Sequence, residues 1–70
     1  MENAMTQAAP LTPLAVGPEE AASMTGHTRS GIYIAIAQGE LKSFKSGKRR
    51  LILVTDLRTW IERLAKENAR

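Results

Sequence analysis

The chain contains no cysteine and only one histidine, His27, so several kinds of site are excluded from the start. Without thiols there can be neither a disulfide nor a thiolate metal site. A single imidazole cannot build a zinc centre unless several carboxylates converge on it, and none is spaced along the chain to do so. The sequence therefore predicts no metal site and no bound cofactor.

Long apolar runs are missing as well. No segment approaches the roughly 20 apolar residues of a membrane span, and the first residues lack the charged start and apolar stretch of a signal peptide. The patterns typical of catalysis are also absent: a nucleophile beside a base, a phosphate-cradling glycine loop, or paired carboxylates in a pocket-forming context. We therefore expect a cytoplasmic protein that is not an enzyme, has no small-molecule substrate and does not enter a membrane.

Positive charge is concentrated in one part of the chain. The formal net charge is +3, but residues 27–50 are strongly basic, whereas the remainder carries a net negative charge. A local positive field attracts polyanions such as nucleic acid, although a charge run is also what an ordinary solvated hairpin carries. The basic residues closest together in the sequence are Lys42, Lys45, Lys48, Arg49 and Arg50.

The chain length of 70 residues predicts a single small domain. Residues 1–13 show no apolar period and contain Pro10 and Pro13, which interrupt regular structure, so we expect a flexible N-terminal arm. The folded domain is expected over residues 14–66, followed by a frayed tail over residues 67–70.

The signals for a short helix are complete over residues 16–26. Gly17 can serve as the N-cap, Pro18 suits the first helical position, and Glu20 stands three residues after the cap. Gly26 can adopt the left-handed conformation that commonly ends a helix. The sequence therefore predicts a helix bounded by Gly17 and Gly26.

Residues 28–38 admit two interpretations. Three isoleucines at every second position resemble a strand. A capping Thr28, a terminating Gly39 and the short turn from the preceding helix favour a helix instead, as in helix-turn-helix units. In that helix one face would carry Ile32, Ala35 and Ile36, and the opposite face Ser30, Tyr33, Ile34 and Ala37.

A basic hairpin is predicted after the second helix. Its arms are residues 40–45 and 49–54, with residues 46–48 at the tip, since a glycine-containing connection of this length is a common hairpin loop. Residues 51–54 are apolar on both alternating faces, so the second face either meets a partner or packs under the third helix. The side chains expected in the core are Leu41, Phe44 and Ile52.

A third helix is predicted from Thr55 as its N-cap. Its apolar residues recur at i, i+3, i+4 and i+7, which is the pattern of a helix that buries one face. The sole tryptophan lies on that face and is expected to anchor the core. The apolar positions are Leu57, Trp60, Ile61 and Leu64.

With two helices joined by a short turn, then a basic hairpin and a third helix, the chain resembles the small MerR-like DNA-binding domains of phage and mobile-element excisionases and of AlpA-type regulators. The resemblance covers residues 14–64. It implies an α+β fold, a winged helix-turn-helix in which the helix-turn-helix is followed by a β-hairpin wing and a C-terminal helix. The residues that carry it are EEAA at 19–22, TRSGIY at 28–33, GEL at 39–41, GKRR at 47–50 and DLRTW at 56–60.

In proteins of that kind the second helix docks in the major groove and the wing touches the adjacent backbone or minor groove. Arg29 would then either pair with a guanine or contact a phosphate, and Ile34 would meet either a thymine methyl or a neighbouring protein molecule. The recognition-helix residues implied are Thr28, Arg29, Ser30, Tyr33 and Ile34. The wing residues implied are Lys42, Lys45, Lys48, Arg49 and Arg50.

The resemblance implies an excisionase, or recombination directionality factor, of a prophage or integrative element. Such a protein binds repeated sites, associates with further copies of itself on double-stranded DNA, and bends the DNA to help a tyrosine integrase excise the element. It would work in the bacterial nucleoid. Two alternatives stay open: an AlpA-like transcriptional regulator of a mobile element, and a protein-interaction adaptor that uses the winged fold without DNA.

Overall fold

A computed structural model describes residues 12–69, so most of the predicted N-terminal arm lies outside the described residues. Three helices and a three-stranded antiparallel sheet form a small α+β unit. No helix within residues 12–69 is long and apolar enough to cross a membrane. In chain order the elements are β1 (Ala15–Val16), α1 (Pro18–Thr25), α2 (Arg29–Ala37), β2 (Phe44–Ser46), β3 (Arg49–Leu53) and α3 (Val54–Glu67).

Helix α1 has the ends that the sequence predicts. The backbone N–H of Gly17 donates to the Glu20 carboxylate across 3.3 Å, and Gly26 ends the helix with a φ of 74°. Val16, however, belongs to β1 and not to the helix. This strand was not predicted, because it is two residues long and its hydrogen-bonding partner is a distant part of the chain.

Helix α2 confirms the helical interpretation of its segment. The Thr28 hydroxyl oxygen accepts a hydrogen bond from the Gly31 N–H at 3.0 Å, so it caps the first turn. At the other end Gly39 has a φ of 78°, and its N–H donates to the carbonyl of Ile36 at 3.0 Å. The bond from the Gly39 N–H belongs to a Schellman-type helix end. Only residues 26–28 separate α1 from α2.

The hairpin is shorter than predicted. Ser46 pairs with Arg49 in the antiparallel register, so the connection is the two residues Gly47 and Lys48. Gly47 has a φ of 65°, and a glycine at the first position of a two-residue loop is typical of type II′ turns. Residues 40–43 precede the strand rather than extending it, and β1 pairs with the opposite edge of β3 to give the strand order β1-β3-β2.

Helix α3 begins at Val54, directly after β3, and its N-cap is Leu53. The prediction of Thr55 as the cap was therefore wrong, and so was the assignment of Val54 to the hairpin. The backbone N–H of Val54 donates to the carbonyl of Leu14 at 2.9 Å. This bond, made next to β1, satisfies the first donor of the helix without a side-chain cap.

The core lies between the helices and one face of the sheet. Trp60 is buried, as predicted, and the His27 ring rests against it with a centroid separation of 4.8 Å. Phe44 was also predicted to be buried, but 40% of its surface is exposed. Its register partner is Leu51, whose neighbour Ile52 takes the core-facing position, so strand alternation turns Phe44 outward. The core residues are Val16, Ala21, Ala22, Ile32, Ala35, Leu41, Ile52, Leu57 and Trp60.

Candidate nucleic-acid interface

The predicted recognition residues lie together on the outer side of α2. Ile32 and Ala35 fix the rotation of the helix by packing into the core. The remaining side chains of its first two turns consequently face outward, with 37% of Tyr33 and 56% of Ile34 exposed. The exposed set comprises all five predicted residues, Thr28, Arg29, Ser30, Tyr33 and Ile34.

Arg29 and Tyr33 interact one turn apart on α2. The guanidinium carbon of Arg29 lies 5.2 Å from the centroid of the Tyr33 ring, within the range of a cation–π contact. The first turn of α2 therefore presents a cation beside an aromatic ring on the exposed face of the helix.

The predicted wing residues do not share one environment. Lys42, Lys45 and Lys48 are exposed, with Lys48 in the hairpin turn. Arg50 is half-buried, and its Nη1 donates to the hydroxyl oxygen of Ser43 at 2.7 Å. The position of the Arg50 guanidinium is therefore set by Ser43, a neighbour that no pattern in the sequence indicated.

The Arg49 guanidinium lies beside the start of α1, where its Nη2 is 3.3 Å from the position of a Cβ at Gly17. It lines an open cleft of about 400 Å³ together with Arg29 and the first residues of α1. The two arginines come from different elements and are 20 positions apart in the sequence, so their proximity follows only from the fold. The other residues that line the cleft are Gly17, Pro18, Glu19 and Glu20.

The outer face of the sheet is apolar and partly exposed. Leu51 and Leu53 point away from the buried Ile52 because side chains alternate along a strand. Phe44 is paired with Leu51, and both Phe44 and Leu53 expose about two fifths of their surface. Among the described residues 12–69, nothing covers this second face of residues 51–54 completely. We call Phe44, Leu51 and Leu53 the outer sheet face.

Within residues 12–69, no group of three or more histidine, aspartate or glutamate side chains could hold a metal ion. The charged groups described so far can make hydrogen bonds and electrostatic contacts. Their arrangement, an exposed helix face beside a hairpin of lysines and arginines, can bind a polyanion.

The comparison with known families agrees with this arrangement. The model of a family described as a helix-turn-helix domain matches residues 16–65, most of the chain. The chain belongs to this helix-turn-helix family. The family includes excisionase and AlpA-like regulators, so the chain is a small helix-turn-helix DNA-binding protein. No curated protein and no solved structure matches the chain.

Proposed function

We propose that this helix-turn-helix protein is a sequence-specific excisionase with a winged, MerR-like fold. Its α2 would enter the major groove, and its β2–β3 hairpin would follow the adjacent backbone. The observation that carries DNA binding is the convergence of Arg29, from the recognition helix, and Arg49, from the wing, on one cleft. One duplex can then be contacted by both elements at once.

Affinity and specificity would come from different side chains. The exposed lysines Lys42, Lys45 and Lys48 would displace counterions from phosphates, which strengthens binding to any duplex. Base edges would be contacted from α2, where Ser30 and Tyr33 offer hydroxyl groups and Ile34 offers an apolar surface for a thymine methyl. Variants of the wing lysines would therefore change the affinity for any duplex, and variants of α2 would change the sequence preference.

The excisionase proposal adds protein contacts to this DNA chemistry. A single small DNA-binding module buries only about 600–1,000 Å² of its surface on DNA, so high affinity favours several copies bound side by side. Bending the DNA also costs free energy that extra contacts must offset. The outer sheet face provides an apolar surface for such contacts, with a further copy or with a tyrosine integrase. An AlpA-like regulator would use the same DNA contacts at a promoter.

A selection from random duplexes, with the winners titrated at two salt concentrations, tests the proposal. Enrichment of closely spaced direct repeats that are bound cooperatively would support the excisionase. Enrichment of a single or palindromic site would instead support the AlpA-like regulator. Absence of both enrichment and salt-sensitive binding would overturn DNA binding and leave a protein-interaction adaptor as the remaining function.

A further inference from the structure

The cleft between α1, α2 and β3 is where the recognition helix and the wing come together. Arg29 and Arg49 both line it, and both side chains are exposed. The cleft is open and has a volume of about 400 Å³, which is room for a phosphate group.

We propose that Arg29 and Arg49 bind the same backbone phosphate of the duplex, so that this cleft is a dedicated phosphate subsite. The inference rests on the proposed DNA binding and assigns one contact within it. Guanidinium groups match phosphate oxygens with paired, charge-assisted hydrogen bonds. A phosphate held from two sides would fix the angle between the recognition helix and the wing on the DNA.

The start of α1 is shaped to admit the Arg49 guanidinium. A Cβ atom at Gly17 would lie 3.3 Å from Nη2 of Arg49, closer than an ordinary van der Waals contact. The backbone of Gly17 has a φ of −79° and a ψ of 172°, a conformation open to any residue. A larger residue at position 17 would therefore change the space beside Arg49, whose guanidinium would have to shift by a few tenths of an ångström, and not the backbone conformation.

At this wall the Gly17 N–H donates to the Glu20 carboxylate, and Pro18 has no N–H to offer. The backbone N–H groups of Glu19 and Glu20 lie in the first turn of α1, where a helix leaves its donors unpaired, and they can add to the donors of the arginines. The carboxylates of Glu19 and Glu20 also line the cleft, and their negative charges oppose a bound anion, so both arginines are needed to make the subsite attractive to a phosphate.

The proposal resolves the two roles that the sequence left open for Arg29. A guanidinium that is stacked on Tyr33 and shares a phosphate with Arg49 is not available to a guanine edge. Sequence preference would then depend on Ser30, Tyr33 and Ile34, and Arg29 would set the register of the complex.

A methylphosphonate scan tests the shared contact. Each phosphate of a selected duplex is replaced in turn by a neutral methylphosphonate, and binding is measured for the wild type, Arg29→Ala, Arg49→Ala and the double variant. We expect one position at which neutralisation weakens wild-type binding by about 10-fold, the scale of a charge-assisted hydrogen bond. At that same position each single variant should be less sensitive than the wild type, because one guanidinium remains, and the double variant should be insensitive. The double variant should lose much less affinity than the product of the two single losses.

Lys48→Ala is the matched control, because it removes an exposed wing charge outside the cleft. It should lower affinity while keeping the wild-type sensitivity at the shared position. Thermal unfolding of each variant separates loss of the contact from loss of the fold.

Sensitivity at two different phosphates, one lost in each single variant, would overturn the shared subsite while leaving DNA binding intact. A change of base preference in Arg29→Ala would overturn it in favour of guanine contact. Failure of the wild type to bind any duplex would overturn the proposed function itself.

Discussion

At the scale of single residues, a substitution at Gly17 should affect the stability of the domain and its affinity for DNA to different extents. Gly17→Ala should cost about 1 kcal/mol of stability or less, since alanine is a poorer N-cap than glycine but fits the observed backbone angles. Its DNA affinity should fall more clearly, because the added methyl displaces the Arg49 guanidinium, which lies 3.3 Å from the Cβ position. Urea unfolding and DNA titration measure the two effects separately.

The control for Gly17→Ala is the same substitution combined with Arg49→Ala. In that background the methyl group has no guanidinium to displace, so it should leave DNA affinity unchanged. If Gly17→Ala weakens DNA binding equally in both backgrounds, its effect arises from α1 and not from the position of Arg49.

Thr28 gives a second prediction at the residue scale. Its hydroxyl oxygen accepts the Gly31 N–H at 3.0 Å, so Thr28→Ala should lower the free energy of unfolding by about 1 kcal/mol. Thr28→Ser keeps the oxygen and should remain close to the wild type in a urea titration. Equal loss in both variants would mean that the methyl group of Thr28, and not its hydroxyl, supports the helix.

At the scale of elements, the end of α2 depends on one backbone conformation. Gly39 has a φ of 78°, which costs a residue with a Cβ about 1–2 kcal/mol. Gly39→Ala should therefore destabilise the domain by about that amount. Gln38→Ala is the matched control, because Gln38 is the adjacent residue with an ordinary φ of −82°. Thermal unfolding of the two variants should differ clearly, and equal melting temperatures would contradict the role of the left-handed residue.

The three helices show why much of the fold could be predicted from the sequence. The ends of α1 and α2 are set by contacts three or four residues apart, such as Gly17 with Glu20 and Thr28 with Gly31. Such local signals are visible in a sequence. The face of α3 follows equally from its period, and Trp60 is buried as that period predicts.

The features that could not be predicted all depend on distant residues. Strand β1 exists through its pairing with β3, and the start of α3 through the bond from Val54 to Leu14. The outward position of Phe44 follows from the register of the hairpin. Ser46 belongs to β2 and not to the predicted tip, so Phe44 pairs with Leu51 and faces the same side of the sheet as that residue. The convergence of Arg29 and Arg49 is likewise a product of packing, because no spacing in the sequence connects these residues.

At the scale of the whole molecule, the exposed wing charges should control the salt dependence of DNA binding. Lys45→Ala and Lys48→Ala should each reduce the slope of log affinity against log salt by about 0.9 if each side chain contacts one phosphate. Arg50→Ala should have a less simple effect, since the guanidinium also holds Ser43.

Lys66→Ala provides the control for the wing lysines. It removes the same charge from the last turn of α3, outside the wing and the recognition helix. Its salt slope should equal that of the wild type. A slope that falls equally in Lys66→Ala, Lys45→Ala and Lys48→Ala would indicate that net charge matters and that the wing makes no particular contact.

The outer sheet face is the molecular surface on which cooperative binding would depend. Phe44→Thr and Leu53→Thr introduce a β-branched residue suited to a strand and remove apolar area that a second copy would cover. Burying a fully exposed side chain of this kind contributes about 1.5–3 kcal/mol. About two fifths of each side chain is exposed, so each variant should lower the cooperativity between adjacent sites by roughly 3- to 8-fold. Affinity for an isolated site should stay unchanged, because neither side chain belongs to the predicted DNA contacts.

Met24→Thr, which alters a side chain that is 56% exposed on α1, should leave cooperativity intact. Titration of duplexes with one and with two sites measures both quantities, and if only Met24→Thr lowers cooperativity, the contact between copies lies on α1 and not on the sheet.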